Sequence, residues 1–422
     1  MRAMKDSGVA WLGMIPVSWD IKPIGSGFTE VKNKNINNFP LDPLQFRYGK
    51  IVKKEKVWSG EEAEDTYSAY NIVSPDMIMI NGLNLEFDFI TQRVALVTEE
   101  GIITSTYLAL KTSSNVYPSY ANYLLKAYDA CKVFHSLGRG LRKTLTFSEL
   151  KKQPMLFLDY EEQKRIVAFL DAKCAQIDAI IEKQQQVIEK LKAYKQSVIT
   201  EVVTKGLDPS VPMKDSGVEW IGMVPEGWSI PKINYCFTSI GSGTTPSSDD
   251  ESFYNGPIYW IQSGDINGGV LTTTQKTITE QAYANYSALR IHKQPFIVVA
   301  MYGASIGNPS LSTIDACTNQ ACCVLGGSQN NIDFMFYVMV AAKAALVYSG
   351  KGGTQPNISQ DIIKKLRIPQ PTPLEQVHIA EYLREKCYVI EKTLEKKLSV
   401  IDKLTDYKKS LIYEAVTGKM EV

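Results

Sequence analysis

Between Tyr160 and about Lys205, a period of seven picks out Leu170, Ile177, Gln184, Leu191 and Val198, with Cys174, Ile181, Ile188, Lys195 and Val202 four residues further on. Two such stripes make the heptad seam of a helix that packs against another helix. Adding 213 to each number gives Leu383, Ile390, Lys397, Leu404 and Leu411, then Cys387, Leu394, Ile401, Lys408 and Ala415. The seam therefore recurs, polar interruptions included, in a second helix from Thr372 to about Thr417. Some 45 residues at 1.5 Å each form a rod of roughly 65 Å, longer than a packing helix of one globular domain requires. Length and duplication predict a spacer. At the seam positions Gln184, Lys397, Lys195 and Lys408, a polar side chain can fix register at some cost in stability, or a lysine can snorkel to water.

Shorter patterns fill the rest of the chain. Met77 to Ile80, Arg93 to Val97 and Tyr107 to Lys111 read as strands bounded by Pro75, Asn81-Gly82 and Gly101. Ser119 to Phe134 reads as a helix with Tyr120, Tyr123, Leu124, Ala127 and Cys131 on one face. Further on, Ile258 to Gln262, Phe296 to Met301 and Ala321 to Leu325 are strand-like, and Phe334 to Tyr348 is an apolar helix. The mixture is α+β.

The segments Met4–Ile24 (MKDSGVAWLGMIPVSWDIKPI) and Met213–Ile233 (MKDSGVEWIGMVPEGWSIPKI) share 13 of 21 positions at a constant offset of 209. The chain is a tandem duplication. Each half runs from a Trp-Gly-Pro-Trp opening through about 130 residues of globular pattern to a long helix. The proline- and glycine-rich stretch Gly206–Pro212 links the halves. Trp11, Trp19, Trp220 and Trp228 read as structural pins. Between the flanking segments the globular stretches share little identity, so one frame holds two different contents, and a partner read in two dissimilar half-sites is implied.

Composition narrows the class. A chain of 422 residues with 44% hydrophobic and 22% charged residues is a multidomain globular protein. Met1 to Pro16 lacks the pattern of a signal peptide, and Phe334–Tyr348 is too short to span a bilayer and carries Lys343, so a cytoplasmic protein is expected. The seven cysteines form no CxxC pair and the three histidines are scattered, which predicts structural thiols and no metal site. There is no GxxxxGK[ST] phosphate loop, no Asp/Asn-Pro-Pro-aromatic element of an amino-methyltransferase and no glycine fingerprint opening a βαβ unit. Ile24-Gly25-Ser26-Gly27 and Ile240-Gly241-Ser242-Gly243 read as turns. Nothing supports catalysis by this chain alone.

With WxGxxPxxW opening each half and a long helix closing it, the sequence resembles the specificity (S) subunit of a type I DNA restriction-modification enzyme over its whole length. Gly243-Thr244-Thr245-Pro246, Asn255-Gly256-Pro257-Ile258-Tyr259-Trp260-Ile261 and Ser263-Gly264-Asp265-Ile266 resemble runs in that family's target recognition domains. Thr354-Gln355-Pro356-Asn357-Ile358-Ser359, Ile368-Pro369 and Leu374-Glu375-Gln376 resemble its exit into the second long helix. The first half departs from this pattern, with Phe28-Thr29-Glu30 where Gly-Thr-Thr-Pro would stand.

The resemblance implies two globular α/β target recognition domains joined by two long antiparallel helices, a coiled coil, in a pseudo-two-fold tandem duplication. The expected division is 1–150, opening segment and first domain; 151–206, first helix; 207–228, linker and repeated opening; 229–367, second domain; 368–422, second helix. It implies a non-catalytic reader of a bipartite, asymmetric site on double-stranded DNA. Two methyltransferase (M) subunits would dock on its helices, and restriction/translocase (R) subunits would join them. S-adenosylmethionine, ATP and Mg would serve those partners, with no cofactor bound by this chain and no membrane contact.

Base edges are read by Arg, Lys, Asn and Gln and by small hydroxyl side chains. The candidates for DNA contact are therefore Arg47, Lys50, Lys53, Lys54, Arg139, Arg142 and Lys143 in the first domain. In the second they are Ser263, Asp265, Asn267, Tyr302, Ser305, Asn308, Lys351, Thr354 and Gln355, all in turn- or glycine-containing stretches. Charge opposes a strong autonomous grip: Gly25–Leu150 holds 14 basic and 14 acidic residues, and Ser229–Ile362 holds 6 and 8. Counterion release needs clustered positive charge, so the bound methyltransferases are expected to supply much of the backbone contact. The alternative is a coiled-coil scaffold presenting two protein- or glycan-binding modules.

Overall fold

The computed structural model describes residues 2–37, 39–47, 49–55, 57, 60–137, 143–350 and 357–422. The chain folds as two units, one of Met1–Gln184 with Leu398–Val422, the other of Gln185–Lys397.

In unit 1 the central sheet contains β1 (Phe28–Glu30), β2 (Ile78–Ile80), β3 (Val94–Leu96) and β4 (Leu108–Thr112). Their order is β1-β4-β2-β3, all antiparallel, with Leu108 opposite Ile80 and Ile78 opposite Leu96. Successive side chains of a strand point to opposite faces, and the burial divides accordingly. Ile78, Ile80, Val94 and Leu110 pack with Tyr120, Leu124, Leu125 and Tyr128 of α1 (Pro118–Ala130). Met79 and Ala109 join Leu44, Val73, Val97 and Ile103 in a separate cluster on the other face. Two-sided burial explains why these strands read as continuous apolar runs rather than as alternation.

Helix α2 (Tyr160–Lys205) follows and passes from unit 1 into unit 2. In unit 2 the sheet repeats with β5 (Phe237–Gly241), β6 (Phe296–Ala300), β7 (Pro309–Ser312) and β8 (Cys322–Ser328) in the order β5-β8-β6-β7, and Val270–Leu271 adds a fifth strand. Ile240, Leu325, Ile297 and Leu311 stand in one cross-strand row. Ile297, Val299, Cys323 and Leu325 share a core with α3 (Ile332–Tyr348), whereas Phe296, Val298, Ala300, Cys322 and Val324 face a second cluster. Unit 2 also carries a three-stranded sheet of Tyr254–Ile261, Lys276–Ile278 and Ala316–Thr318, which has no counterpart among the described residues of unit 1. Helix α4 (Pro373–Val416) closes the chain.

The long helices run antiparallel, and their seams are used as the heptads require. In unit 1, Leu170, Cys174 and Ile177 share a core with Leu411, Ala415 and Val416; in unit 2, Val202 and Val203 do so with Leu383 and Cys387. Two of the polar seam lysines, Lys195 and Lys408, stay partly exposed and pair with acids of the facing helix. Lys195 Nζ donates to Glu391 Oε1 at 2.5 Å, and Lys408 Nζ donates to both oxygens of Asp178 at 2.7 Å. The amide oxygen of Gln184 is buried with no hydrogen-bond partner.

The copied residues are those that fasten each sheet-and-helix core to its long helix. Trp19 Nε1 donates to Glu162 and Trp228 Nε1 to Glu375, at 3.1 and 3.3 Å. Gln163 and Gln376, each 1% exposed, accept from the backbone N–H at the N-caps of α1 and α3, Tyr117 and Asn331. Their amide nitrogens return bonds to the carbonyls of Asn115 and Pro371. Four tryptophan pins were expected; Trp19 and Trp228 are buried as such, and Trp11 packs edge-on against Tyr128 at 4.3 Å between centroids. Among the described residues, no helix is long and apolar enough to cross a membrane, and no group of three His, Cys, Asp or Glu side chains is placed to hold a metal ion.

Candidate nucleic-acid interface

In unit 2 the loops at the end of β6 converge. Met301 N–H donates to Ala321 O, and Met301 O accepts from Ile358 N–H, both at 2.8 Å. Ser305 Oγ donates to Ser263 O at 2.6 Å, and Ser310 Oγ accepts from the backbone N–H of Asn267 and Gly268. The loops 263–269 and 301–310 are thereby laced together, which brings Ser263, Asn267, Tyr302, Ser305 and Asn308 into one neighbourhood. Asn267 is exposed, while Tyr302, Ser305 and Asn308 are half-buried. Asp265 does not present its carboxylate: the residue is 8% exposed, and its two oxygens accept from the N–H groups of Gln262 and Gln275 at 2.8 and 3.0 Å. An anion spent on building a turn is not offered to a base. Lys351, Thr354 and Gln355 lie outside the described residues.

The Gly243-Thr244-Thr245-Pro246 run joins the same neighbourhood. Gly243 N–H donates to Thr318 Oγ1 at 3.0 Å, Thr245 Oγ1 to Gln320 Oε1 at 2.6 Å, and Trp260 Nε1 to Thr244 O at 3.2 Å. A Cβ on Gly243 would stand 1.8 Å from the Thr318 carbonyl oxygen, so only glycine fits there. Gly256 is equally constrained, its absent Cβ lying 2.4 Å from Thr279 Cα. Gln320, exposed beside Thr245, and Gln360, whose Nε2 donates to Ser242 Oγ at 2.6 Å, are carboxamides of the kind that pair with adenine. Neither carries a local pattern that would single it out in the sequence.

In unit 1 four of the basic candidates, Arg47, Lys53, Lys54 and Lys143, are engaged by neighbours. Arg47 and Lys50 flank the tip of the Leu44–Arg47/Lys50–Lys53 hairpin, where Arg47 meets Glu55 at 2.9 Å and Lys50 is exposed. Lys53 lies 2.7 Å from Asp42 and 3.5 Å from Glu99, and its bond to Asp42 raises its pKa. Lys54 donates to Tyr70 Oη at 3.0 Å and lies over the same ring. Lys143 stands 3.9 Å from Glu86. Arg139 and Arg142 lie outside the described residues. Such exposed pairs contribute little to stability, and opening them frees each cation for a phosphate.

Unit 1 repeats the topology of the unit 2 site with other residues. Leu145 N–H donates to Gly82 O at 2.9 Å, where Ile358 meets Met301 in unit 2, and the helical turn after each begins at a capping Thr146 or Ser359. The loop after β2 is anchored by Arg93, 1% exposed, whose guanidinium donates to the carbonyls of Asn81, Leu83, Asn84 and Asp88 at 2.7 to 3.4 Å. Sequence pattern assigned Arg93 only to a strand. Its arrangement is that of a buried cation solvated by carbonyl dipoles, with the Asp88 carboxylate 3.8 Å away as counter-charge.

Residues 225–400 match the family model of the type I restriction modification DNA specificity domain. Over 426 residues the chain is 21% identical to a protein of Methanocaldococcus jannaschii assigned as a type I restriction enzyme MjaX specificity subunit, covering 97% of this chain and 96% of that one. The MjaVIII specificity subunit of the same organism is 23% identical over 97% of this chain and 94% of its own length. A chain from a solved structure, described as the basis of complex assembly and conformational transition of the type I R-M system, shares the fold at a TM-score of 0.72. It has 14% sequence identity and covers 96% of this chain and 99% of that one.

Proposed function

The chain belongs to the family of type I restriction-modification specificity subunits, and from that premise we propose that it is the non-catalytic DNA reader of such a complex, selecting a bipartite target through two target recognition domains. The observation that carries this reading is the contrast between copied fastenings and divergent loops. The Trp–Glu, Gln and Lys–acid contacts recur in both units, while the loops after β2 and β6 share a topological place and differ in length and composition. A frame that conserves its joints and varies its tips suits two half-sites of different sequence. The scaffold alternative explains the joints equally well but leaves the carboxamide- and hydroxyl-rich loops of unit 2 without a role.

The chain's partners are then double-stranded DNA, two methyltransferase subunits docked on the long helices, and restriction/translocase subunits. S-adenosylmethionine, ATP and Mg belong to those partners, and the complex works in the cytoplasm. The even charge balance and the engaged cations of unit 1 support weak DNA binding by the chain alone, with the methyltransferases adding backbone contacts. Recognition surfaces on one face of the duplex require half-site centres about one helical turn, roughly 34 to 36 Å, apart. Methylome sequencing of cells with and without the gene tests the whole reading. A bipartite methylated-adenine motif that disappears on deletion is expected; an unchanged methylome in cells that express the complex refutes the role.

A further inference from the structure

The loop between β2 and β3 combines two properties that rarely occur together. It is rigidly built: Arg93 binds four of its carbonyls from beneath, the Asp88 carboxylate accepts from the N–H groups of Ile90 and Thr91 at 3.1 and 2.9 Å, and His135 stacks on Phe89 with its Nε2 3.0 Å from Asp88 O. Yet it ends in large apolar side chains turned to solvent, with Ile90 97% and Phe87 78% exposed. A floppy loop can expose such groups by default. One braced this closely displays them, and a displayed apolar tip marks a contact.

The tip's position indicates which contact. The loop occupies the place in unit 1 that the Tyr302–Asn308 loop holds in unit 2, each leaving the corresponding sheet strand and each tied to a residue beyond the core helix, Leu145 after α1 and Ile358 after α3. Lys132 Nζ donates to Phe89 O at the base of the tip, while Leu85 N–H donates to the backbone carbonyl of Lys143, whose ammonium stands 3.9 Å from Glu86 of the same loop. Phe and Ile are side chains that proteins insert between base steps to unstack and kink a duplex. We propose that Phe87 and Ile90 form an apolar wedge that enters the base stack at or beside the half-site read by unit 1. The wedge selects for an easily unstacked step there, since the cost of opening a step depends on its sequence. This inference rests on the DNA-reader reading above.

The test uses the complex assembled with its methyltransferase subunits and a target duplex carrying 2-aminopurine at successive positions around the unit 1 half-site, the methylated adenine excepted. The wild-type complex should brighten one position several-fold. Phe87→Ala with Ile90→Ala should abolish that signal and weaken binding about tenfold, with an unchanged slope of affinity against salt, because no phosphate contact is removed. Ile90→Ala alone, at a fully solvated position, should show a partial loss with wild-type thermal unfolding. If no position brightens, or the signal survives both substitutions, the wedge is refuted while motif methylation leaves the reader role standing. Loss of methyltransferase co-purification with DNA unstacking intact would identify the tip as a protein contact and equally overturn the proposal. A wild-type complex that methylates no bipartite motif removes the reader role and the wedge together.

Discussion

Lys195 of α2 meets Glu391 of α4 at 2.5 Å, and 213 residues on, Lys408 meets Asp178 at 2.7 Å. Each lysine replaces an apolar seam residue and finds its acid on the facing helix. The pair therefore specifies which layers of the two helices come opposite, at the cost of apolar burial. The lysine side chains are 27% and 28% exposed, so each pair should be worth about 0.2 to 1 kcal/mol. A double-mutant cycle on Lys195→Ala and Glu391→Ala, read by urea unfolding, should show that coupling, and high salt should shrink it. Strict additivity of the two substitutions would deny the pair a registering role.

Gly243→Ala should disable unit 2. The new methyl would overlap the Thr318 carbonyl, and relieving it displaces the Ser242–Pro246 loop at a cost of about 1 to 3 kcal/mol. In cells, methylation at the target should fall while an independently expressed methyltransferase retains its fold and cofactor affinity. Wild-type methylation by this variant would show that the loop has no part in recognition.

Arg93→Met removes a buried cation and leaves the carbonyls of Asn81, Leu83, Asn84 and Asp88 without that donor. Unsatisfied buried acceptors cost about 1 to 3 kcal/mol each before relaxation and water entry, so a loss of at least 3 kcal/mol is expected. Lys at this position keeps the charge but not the fork geometry and should rescue little. Denaturant midpoints within error of wild type would contradict this.

Acid should weaken the junction between the repeated opening segment and α4. Burial opposes the charge of Glu375, but hydrogen bonds from Thr372 and Trp228 outweigh it and hold the carboxyl below its ordinary value of 4.5. A lowered folded-state pKa stabilises the fold above the ordinary value, and that contribution disappears as pH falls through the folded-state value. Trp228→Phe removes one of these donors. Urea melts from neutral pH down to about pH 3 should therefore show a shallower acid-dependent loss for Trp228→Phe than for the wild type. Parallel curves would show that the indole bond does not stabilise the carboxylate.

Both long helices contribute residues to both units, which makes helix length the quantity that would fix the spacer of the target. Inserting one heptad at matched seam positions of α2 and α4 preserves the stripe and adds about 10 Å of rise. Methylation mapping should then return the same half-sites with a longer undefined spacer. A changed half-site would defeat the ruler model.

The heptads, the 213-residue repeat of the seam and the apolar strands were legible along the chain because each is a periodic or local signal. Helix α2 spans the residues its pattern indicated, and β2, β3 and β4 lie within a residue of theirs. The roles of single polar and apolar side chains were not legible, because they depend on neighbours distant in sequence. Asp265 reads as an exposed acid in a glycine loop, and only the fold places the N–H groups of Gln262 and Gln275 on its oxygens. Lys195 and Lys408 read as interruptions until the antiparallel pairing set Glu391 and Asp178 before them. Phe87, Phe89 and Ile90 have the composition of a core strand. Their exposure was decided by Arg93, which satisfies the loop's carbonyls from inside and so holds the apolar side chains outward. Periodicity is a property of the chain itself, whereas exposure and pairing depend on what the rest of the chain brings alongside, so the sequence alone specified the frame and the tertiary structure its working surface.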